Sequence, residues 1–408
     1  MYQSFNKTSE NITLLLLIVF FLINPLLTLF ISLPIYNLFL YFDKNTFKSH
    51  IVFGIQLTFL ALLLAGKDTL IGTHNDIETY LKLFESYGNN IQDAVKIGLQ
   101  YIGAFDYFFI LCTFALENIF NNPKIVLSIW ILMAILITIY SLIKILGREA
   151  FLAWGFIIGN INLFVLYGNA IRQAFSMGVL GLLIWVICHK NKTNKIEEWI
   201  VFTLGLLSHN SFIIFLPLLI SKYIRFILNL EPIILSITVF ASIPFSLITR
   251  SIAIQIFSLL PFNIRYLNYE SQDYFTSGTL ILSLLICVLI TTFYYFKPKQ
   301  VNKKLFNVLM LSMIICVLLS AIIYSRIYGY ILIISSIQLA LIPSFFSNQE
   351  KPLVKVFLFL NFLILGIFFW NTWFDKFGNS HFESSIGELL SFNIYDYILK
   401  WNHYFYGV

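Results

Sequence analysis

Residues 150–188 read AFLAWGFIIGNINLFVLYGNAIRQAFSMGVLGLLIWVIC, thirty-nine positions with a single charge, Arg172. A helix needs roughly 20 apolar residues to cross about 30 Å of hydrocarbon. The stretch is therefore long enough for two crossings, and Gly168-Asn169 punctuates a turn between them just before the arginine. Residues 305–349 repeat the pattern, their one charge being Arg326 in Ser325-Arg-Ile-Tyr-Gly-Tyr330. An arginine cannot shed its proton. One set beside so much hydrocarbon must face water, a cavity or an anion.

The rest of the chain has the same character. Of its 408 residues 59% are hydrophobic and 11% charged, 43 are Phe, and the mean hydropathy is +0.84. Soluble proteins carry roughly 25% charged residues, so the composition excludes a soluble enzyme. Uncharged runs fall at 12–42, 51–66, 125–143, 150–171, 173–188, 199–221, 232–249, 278–296, 305–325, 327–349 and 356–374, with a broken one at 97–116. Barrel strands would be alternating segments of ~10 residues. The expectation is an all-α polytopic membrane protein of about 12 transmembrane helices (range about 10–13). It is a single transmembrane domain over 1–408 whose longest polar stretches are 67–96, 250–277 and 375–408.

Cys112, Cys188, Cys287 and Cys316 lie in apolar runs without CxxC spacing and read as small hydrophobes. The net charge of +6 fits basic cytoplasmic loops and implies no nucleic acid. The first apolar run is too long for a signal peptide and is expected to stay as a helix.

Two loops are densely basic, His189–Lys195 (HKNKTNK) and Lys297–Lys304 (KPKQVNKK). The positive-inside rule puts both in the cytoplasm. Counting crossings from them places Arg172, Arg326, the 250–277 loop with Arg250 and Arg265, and the 375–408 tail on the outer face. Between the two basic loops the number of crossings must be even, yet three runs are visible. A break at Ser208-His209-Asn210-Ser211 restores parity and leaves two short helices with His209 at their outward tip. Such short helices reach the tip only if it lies at the bottom of a water-filled cavity. Asp106 likewise cuts 97–116 into pieces too short to cross. The 67–100 loop is expected outside, with an interfacial or re-entrant segment continuing to 120.

Several residues could carry chemistry. The guanidinium forks of Arg172 and Arg326 match phosphate oxygens, although an interfacial arginine that snorkels to headgroups has the same local sequence. His209 is the one histidine inside a clear apolar run, and an imidazole takes a proton from a hydroxyl near neutral pH. Asp76 and Tyr80 lie in the first outer loop, GTHNDIETY at Gly72–Tyr80. His74, Asp76 and Glu78 alternate as chance allows, so no metal site is expected. The 250–277 loop adds Tyr266 and Tyr269, whose faces suit sugar rings, as they also suit interfacial belts. No GxSxG, Walker loop, HExxH or GxGxxG is present.

Taken in order, these features resemble the EpsG-like branch of the Wzy-type polysaccharide polymerases. The matching elements are Gly72-Thr73 with Asp76 and Tyr80, then the pair Arg172-Gln173 opening a small-residue helix to Cys188. The basic loop 189–195 follows, then His209-Asn-Ser211 before Pro217, and Arg326-Ile-Tyr-Gly-Tyr330 before Pro343. The match departs from the family pattern where His74 and Asn75 separate Gly72-Thr73 from Asp76, and where Lys67 replaces an arginine. The resemblance implies a GT-C-like helical fold in the bacterial inner membrane, with no cofactor. It implies a glycosyltransferase that joins undecaprenyl-diphosphate-linked oligosaccharide repeat units into O-antigen, capsule or exopolysaccharide. Expected partners are the lipid-linked oligosaccharide, membrane lipid and a chain-length regulator protein. The site residues expected are His209 or Asp76 as base, Arg172, Arg326, Arg265 and Arg250 for the diphosphate, and Gln173, Tyr80, Tyr266, Tyr269 and Tyr328 for sugar. An O-antigen ligase shares the donor. A flippase for the same lipid-linked sugars is the rival of another class, although no internal repeat is visible. A multispan acyltransferase lacks its usual signatures here.

Overall fold

The computed structural model describes residues 2–32, 47–66, 76–88, 90–102, 106–160, 166–168, 170–189, 195–220, 226, 229–258, 278–347, 349–358, 360–361, 364 and 386–406. Among them all regular structure is helical, as hydrocarbon demands of a backbone with no other hydrogen-bond partner. The first helices in chain order are α1 (Tyr2–Ile23), α2 (Phe47–Ala65), α3 (Asp76–Glu85), α4 (Ile91–Ile102), α5 (Tyr107–Phe120) and α6 (Pro123–Leu146). Then come α7 (Ala150–Ile158), α8 (Ile171–His189), α9 (Lys195–Ser208) and a 3₁₀ helix, Asn210–Leu219. The last are α10 (Pro232–Ser258), α11 (Gly278–Phe296), α12 (Lys303–Ala340), α13 (Ile386–Ser391) and α14 (Ile394–Tyr406). Among the described residues, four stretches are long and apolar enough to cross a membrane: Pro123–Leu146, Ile171–Cys188, Lys303–Ser320 and Ile327–Phe345.

Helices α6 and α8 form the centre and run parallel. Trp130 Nε1 donates to the Ile171 carbonyl at 3.2 Å, and Lys144 lies over the Trp185 ring. Between these levels small residues let the backbones meet. A Cβ on Gly178 would come 2.8 Å from the Thr138 backbone nitrogen, and one on Gly181 would collide with Ser141. Asn122 caps α6, its side chain accepting from the N–H groups of Lys124 and Ile125, and Pro123 follows where a missing N–H costs nothing.

The bundle has two unlike ends. At one, Lys355 pairs with Glu149 (2.7 Å), Lys303 with Glu231 (2.9 Å), and Lys297 donates to the Phe345 carbonyl (2.6 Å). At the other, α2 ends at Ala65 and α6 and α8 begin.

The two apolar runs around Arg326 lie side by side, as two successive crossings require, although no separate loop divides them. Helical hydrogen bonding continues through Lys303–Ala340, yet Gln338 Nε2 lies 3.8 Å from Met310 Sδ. A straight helix would separate residues 28 apart by ~42 Å, so the segment doubles back on itself. Phe306 and Phe345 accordingly meet the neighbouring rings Tyr294 and Phe293 at the basic end. Helix α10 also runs further than the hydropathy pattern suggests. It reaches Ser258, so Arg250 lies on a helix and not in a loop beginning at 250.

The described part of the 375–408 tail folds back on the bundle. Tyr404 Oη donates to the Ala65 carbonyl (3.0 Å), Lys124 Nζ donates to the Tyr404 carbonyl (2.6 Å), and Phe59 packs on Tyr397 and Trp401. Asn24 reaches the Leu390 carbonyl.

Candidate functional site

Arg172 is the second residue of α8 and is 8% exposed. It is alone in the sequence but not in the fold. Nε donates to Tyr80 Oη at 3.0 Å, Nη1 is bonded to the Asp106 carboxylate, and the guanidinium lies over the rings of Tyr80 and Phe109. A buried guanidinium without a counter-ion would be strongly destabilising, which is why the fold supplies one. A guanidinium has five N–H donors. Those on Nη2 meet no acceptor among the described residues. The cation is thus fixed along one edge and retains donors on the other. Asp76, half-buried at the start of α3, is near enough to act on the same charge.

Asp106 reaches this depth on a helical hairpin. Helices α4 and α5 pack closely, and a Cβ on Gly98 would lie 2.7 Å from Ile110. Ser86 Oγ and Tyr101 Oη approach to 3.2 Å, and Tyr87 Oη and Thr113 Oγ1 to 3.0 Å, so the residues just after α3 are tied to both helices of the hairpin. Asp106 precedes α5 at the inner end and is fully buried. Its Oδ1 accepts from the backbone N–H of Asn210 at 3.0 Å.

Asn210 belongs to the break in the helical pattern. Helix α9 stops at Ser208, His209 takes an extended conformation (φ −157°, ψ 120°), and the 3₁₀ helix returns so that Phe212 lies against Gly205. His209 is 3% exposed, with Nδ1 2.6 Å from Ser211 Oγ. Ser211 Oγ lies 3.0 Å from Tyr330 Oη, which lies 2.8 Å from Ser176 Oγ, and that hydroxyl donates to the Gln173 carbonyl at 2.9 Å. One donor order satisfies the whole series: Nδ1–H to Ser211, Ser211 to Tyr330, Tyr330 to Ser176, Ser176 to the carbonyl. With Nδ1 protonated, Nε2 carries the lone pair, as a general base requires. The Ser211 N–H, 3.3 Å from Nδ1, is the weaker contact that this order gives up.

The fold therefore brings Arg172, His209, Tyr80, Asp76 and Gln173 to one region. Gln173 is 1% exposed, and neither its amide nitrogen nor its amide oxygen has a hydrogen-bond partner among the described residues. Buried amides normally find one. Tyr328 is buried two residues from Tyr330, with Gly329 between them against Gln173 and Leu166. Arg326 belongs to the residues joining the two halves of α12, and its side chain lies outside the described residues, as does that of Arg250. Arg265, Tyr266, Tyr269 and His74 lie wholly outside them. Among the described residues no three His, Cys, Asp or Glu side chains cluster as a metal site.

Sequence reasoning passed over Asp106, Ser176 and Tyr330 as members of this network. Asp106 had a signal: it is the only charge in 97–116, and the argument that singled out Arg172 applies equally to a lone carboxylate. Tyr330 stood at the end of the Arg326-Ile-Tyr-Gly-Tyr330 motif but with nothing to name its partners, and Ser176 had no signal, because a serine hydroxyl in an apolar helix commonly bonds its own backbone.

No solved structure matches the chain. It is similar to the EPS I polysaccharide export inner membrane protein EpsF of Ralstonia solanacearum, at 23% identity over 130 residues, 29% of this chain. The match spans 31% of that relative's own length. The family model for the EpsG family matches residues 50–384, which leaves little of the membrane-embedded chain outside it. The chain belongs to the EpsG family, whose members are membrane proteins of exopolysaccharide biosynthesis.

Proposed function

We propose that this protein is a Wzy-type polymerase that joins polyprenyl-diphosphate-linked oligosaccharide repeat units at the outer face of the inner membrane. The observation that carries the reading is the buried network in which an anchored arginine with unmet donors and a histidine with a defined hydrogen-bond chain are joined through one carboxylate, in a chain of the EpsG family. The acceptor sugar's hydroxyl oxygen attacks the anomeric carbon of the donor unit. The bond from that carbon to phosphate oxygen breaks, and the electron pair leaves with the polyprenyl diphosphate. His209 Nε2 takes the hydroxyl proton. The remaining N–H donors of Arg172 stabilise the departing diphosphate charge, which is worth most where water is excluded. Arg326, Arg250 and Arg265 are the further cations proposed to meet the diphosphate. The unpartnered amide of Gln173 offers one donor and one acceptor group to adjacent sugar hydroxyls, beside Tyr80 and Tyr328.

The experiment is polymerisation of lipid-linked repeat units by purified, detergent-solubilised protein. His209→Gln keeps hydrogen bonding without the base and should lower turnover ~10²–10⁴-fold. Arg172→Lys lacks the fork and should lower it about 10²-fold. If His209→Gln turns over like wild type while Asp76→Asn is inactive, the base is Asp76. The export role in the Ralstonia relative's name favours a second reading, movement of lipid-linked sugar across the membrane. Sugar transfer across proteoliposome membranes without polymer formation would select it.

A further inference from the structure

The Arg172 guanidinium and the His209 turn come from different elements, and one group touches both. The carboxylate of Asp106 bonds Arg172 Nη1 through Oδ2 and the Asn210 N–H through Oδ1. Asn210 stands between His209 and Ser211, the two residues whose side chains begin the hydroxyl series. We propose that Asp106 is the positioning residue of the site, setting the diphosphate-binding cation and the base-bearing turn in a single geometry. This rests on the glycosyl-transfer reading above.

Two features favour this over a plain structural ion pair. The α4–α5 hairpin is held by Gly98 against Ile110, and the residues just after α3 tie into both of its helices through Ser86–Tyr101 and Tyr87–Thr113, so it does not depend on its aspartate for closure. A carboxylate beside Arg172 also weakens that cation's attraction for a phosphate, because opposite charges offset one another. A site built for anion affinity alone would omit it. Its presence is explained if geometry matters more than affinity, since a misplacement of ~1 Å between reacting groups costs about 10²-fold in rate.

The two contacts can be cut separately. Asp106→Asn keeps an oxygen for the Asn210 N–H and removes the charge from Arg172. Asn210→Pro removes the N–H and leaves the ion pair. Proline fits there, because position 210 is the first of its 3₁₀ helix and His209 already has the extended backbone that a following proline requires.

The test measures undecaprenyl diphosphate binding, against undecaprenol as control, together with turnover of lipid-linked repeat units. Asp106→Asn should bind the diphosphate as tightly as wild type or up to ~10-fold tighter, with turnover lowered about 10²-fold. Asn210→Pro should bind within about 2-fold of wild type, with turnover lowered ~10-fold. Lost affinity is what a merely structural role predicts, and retained affinity with lost turnover is the signature of positioning. Wild-type turnover in Asn210→Pro, or binding lost in step with turnover in Asp106→Asn, overturns the proposal. If wild type itself does not distinguish undecaprenyl diphosphate from undecaprenol, the glycosyl-transfer reading has failed, and the positioning role is then decided at His209 directly. Carbethoxylation of His209 by diethyl pyrocarbonate, mapped by mass spectrometry, should rise at least about 5-fold in Asn210→Pro as the turn loosens. An unchanged rate overturns the proposal by that route. Should Asp106→Asn fail to fold, Asn210→Pro decides alone.

Discussion

At the scale of single residues, the hydroxyl of Tyr330 offers the sharpest probe. Its ring packs edge-on against Phe215 and Phe212, and only its oxygen joins Ser211 to Ser176. Tyr330→Phe keeps the packing and cuts the series between His209 and the Gln173 carbonyl. We expect a stability loss of about 1 kcal/mol with turnover reduced ~10-fold, read by thermal denaturation and by polymerisation in detergent. A stability loss with full turnover would make the series a matter of packing. Arg172 and His209 were legible in the sequence because each is expensive where it stands. Asp106 was equally expensive but was read as an interruption, since hydropathy alone does not say which lone charges meet. Tyr330 and Ser176 are inexpensive in any apolar helix, so their partners are a property of the fold alone.

At the scale of elements, the interruptions were more legible than the connections. The polar cluster Ser208–Ser211 breaks the apolar pattern, and α9 ends there. The doubling back of α12 was in the pattern, as two apolar runs with the single charge of Arg326 between them; the pattern did not show that helical hydrogen bonding continues from one run into the next. It has a direct test. With the four native cysteines replaced, a Met310→Cys, Gln338→Cys pair should be joined within the chain by a short bifunctional thiol reagent. A straight helix holds those positions ~42 Å apart, so absence of the cross-link in folded protein would reject the hairpin. The α6–α8 contact has its own test. Gly178→Ala sets a methyl 2.8 Å from the Thr138 backbone nitrogen, which no rotamer change relieves. A loss of about 1–3 kcal/mol is expected, measured as a lower melting temperature in detergent.

At the scale of the whole molecule, the two ends differ in charge and in content. Lys297, Lys303 and Lys355 gather at one, while Arg172, Asp106 and His209 lie toward the other. If the basic end is cytoplasmic, a cysteine at exposed Gln92 should react with an impermeant maleimide on intact spheroplasts. One at Lys351, between the Ser347–Glu350 bond and the Lys355–Glu149 pair, should react only after lysis. The reverse pattern would put the site in the cytoplasm and remove the lipid-linked donor from its reach. The contacts that fasten α14 to Ala65 and Lys124, and Leu390 to Asn24, join residues separated by 280 to 366 positions. The clasp leaves the ribosome only after everything it clasps has entered the membrane. The early helices must therefore wait, inserted but unfastened, while the translocon releases the remainder. Mutations at Tyr404 should then show first as chains lost to quality-control proteolysis and only second as slower catalysis.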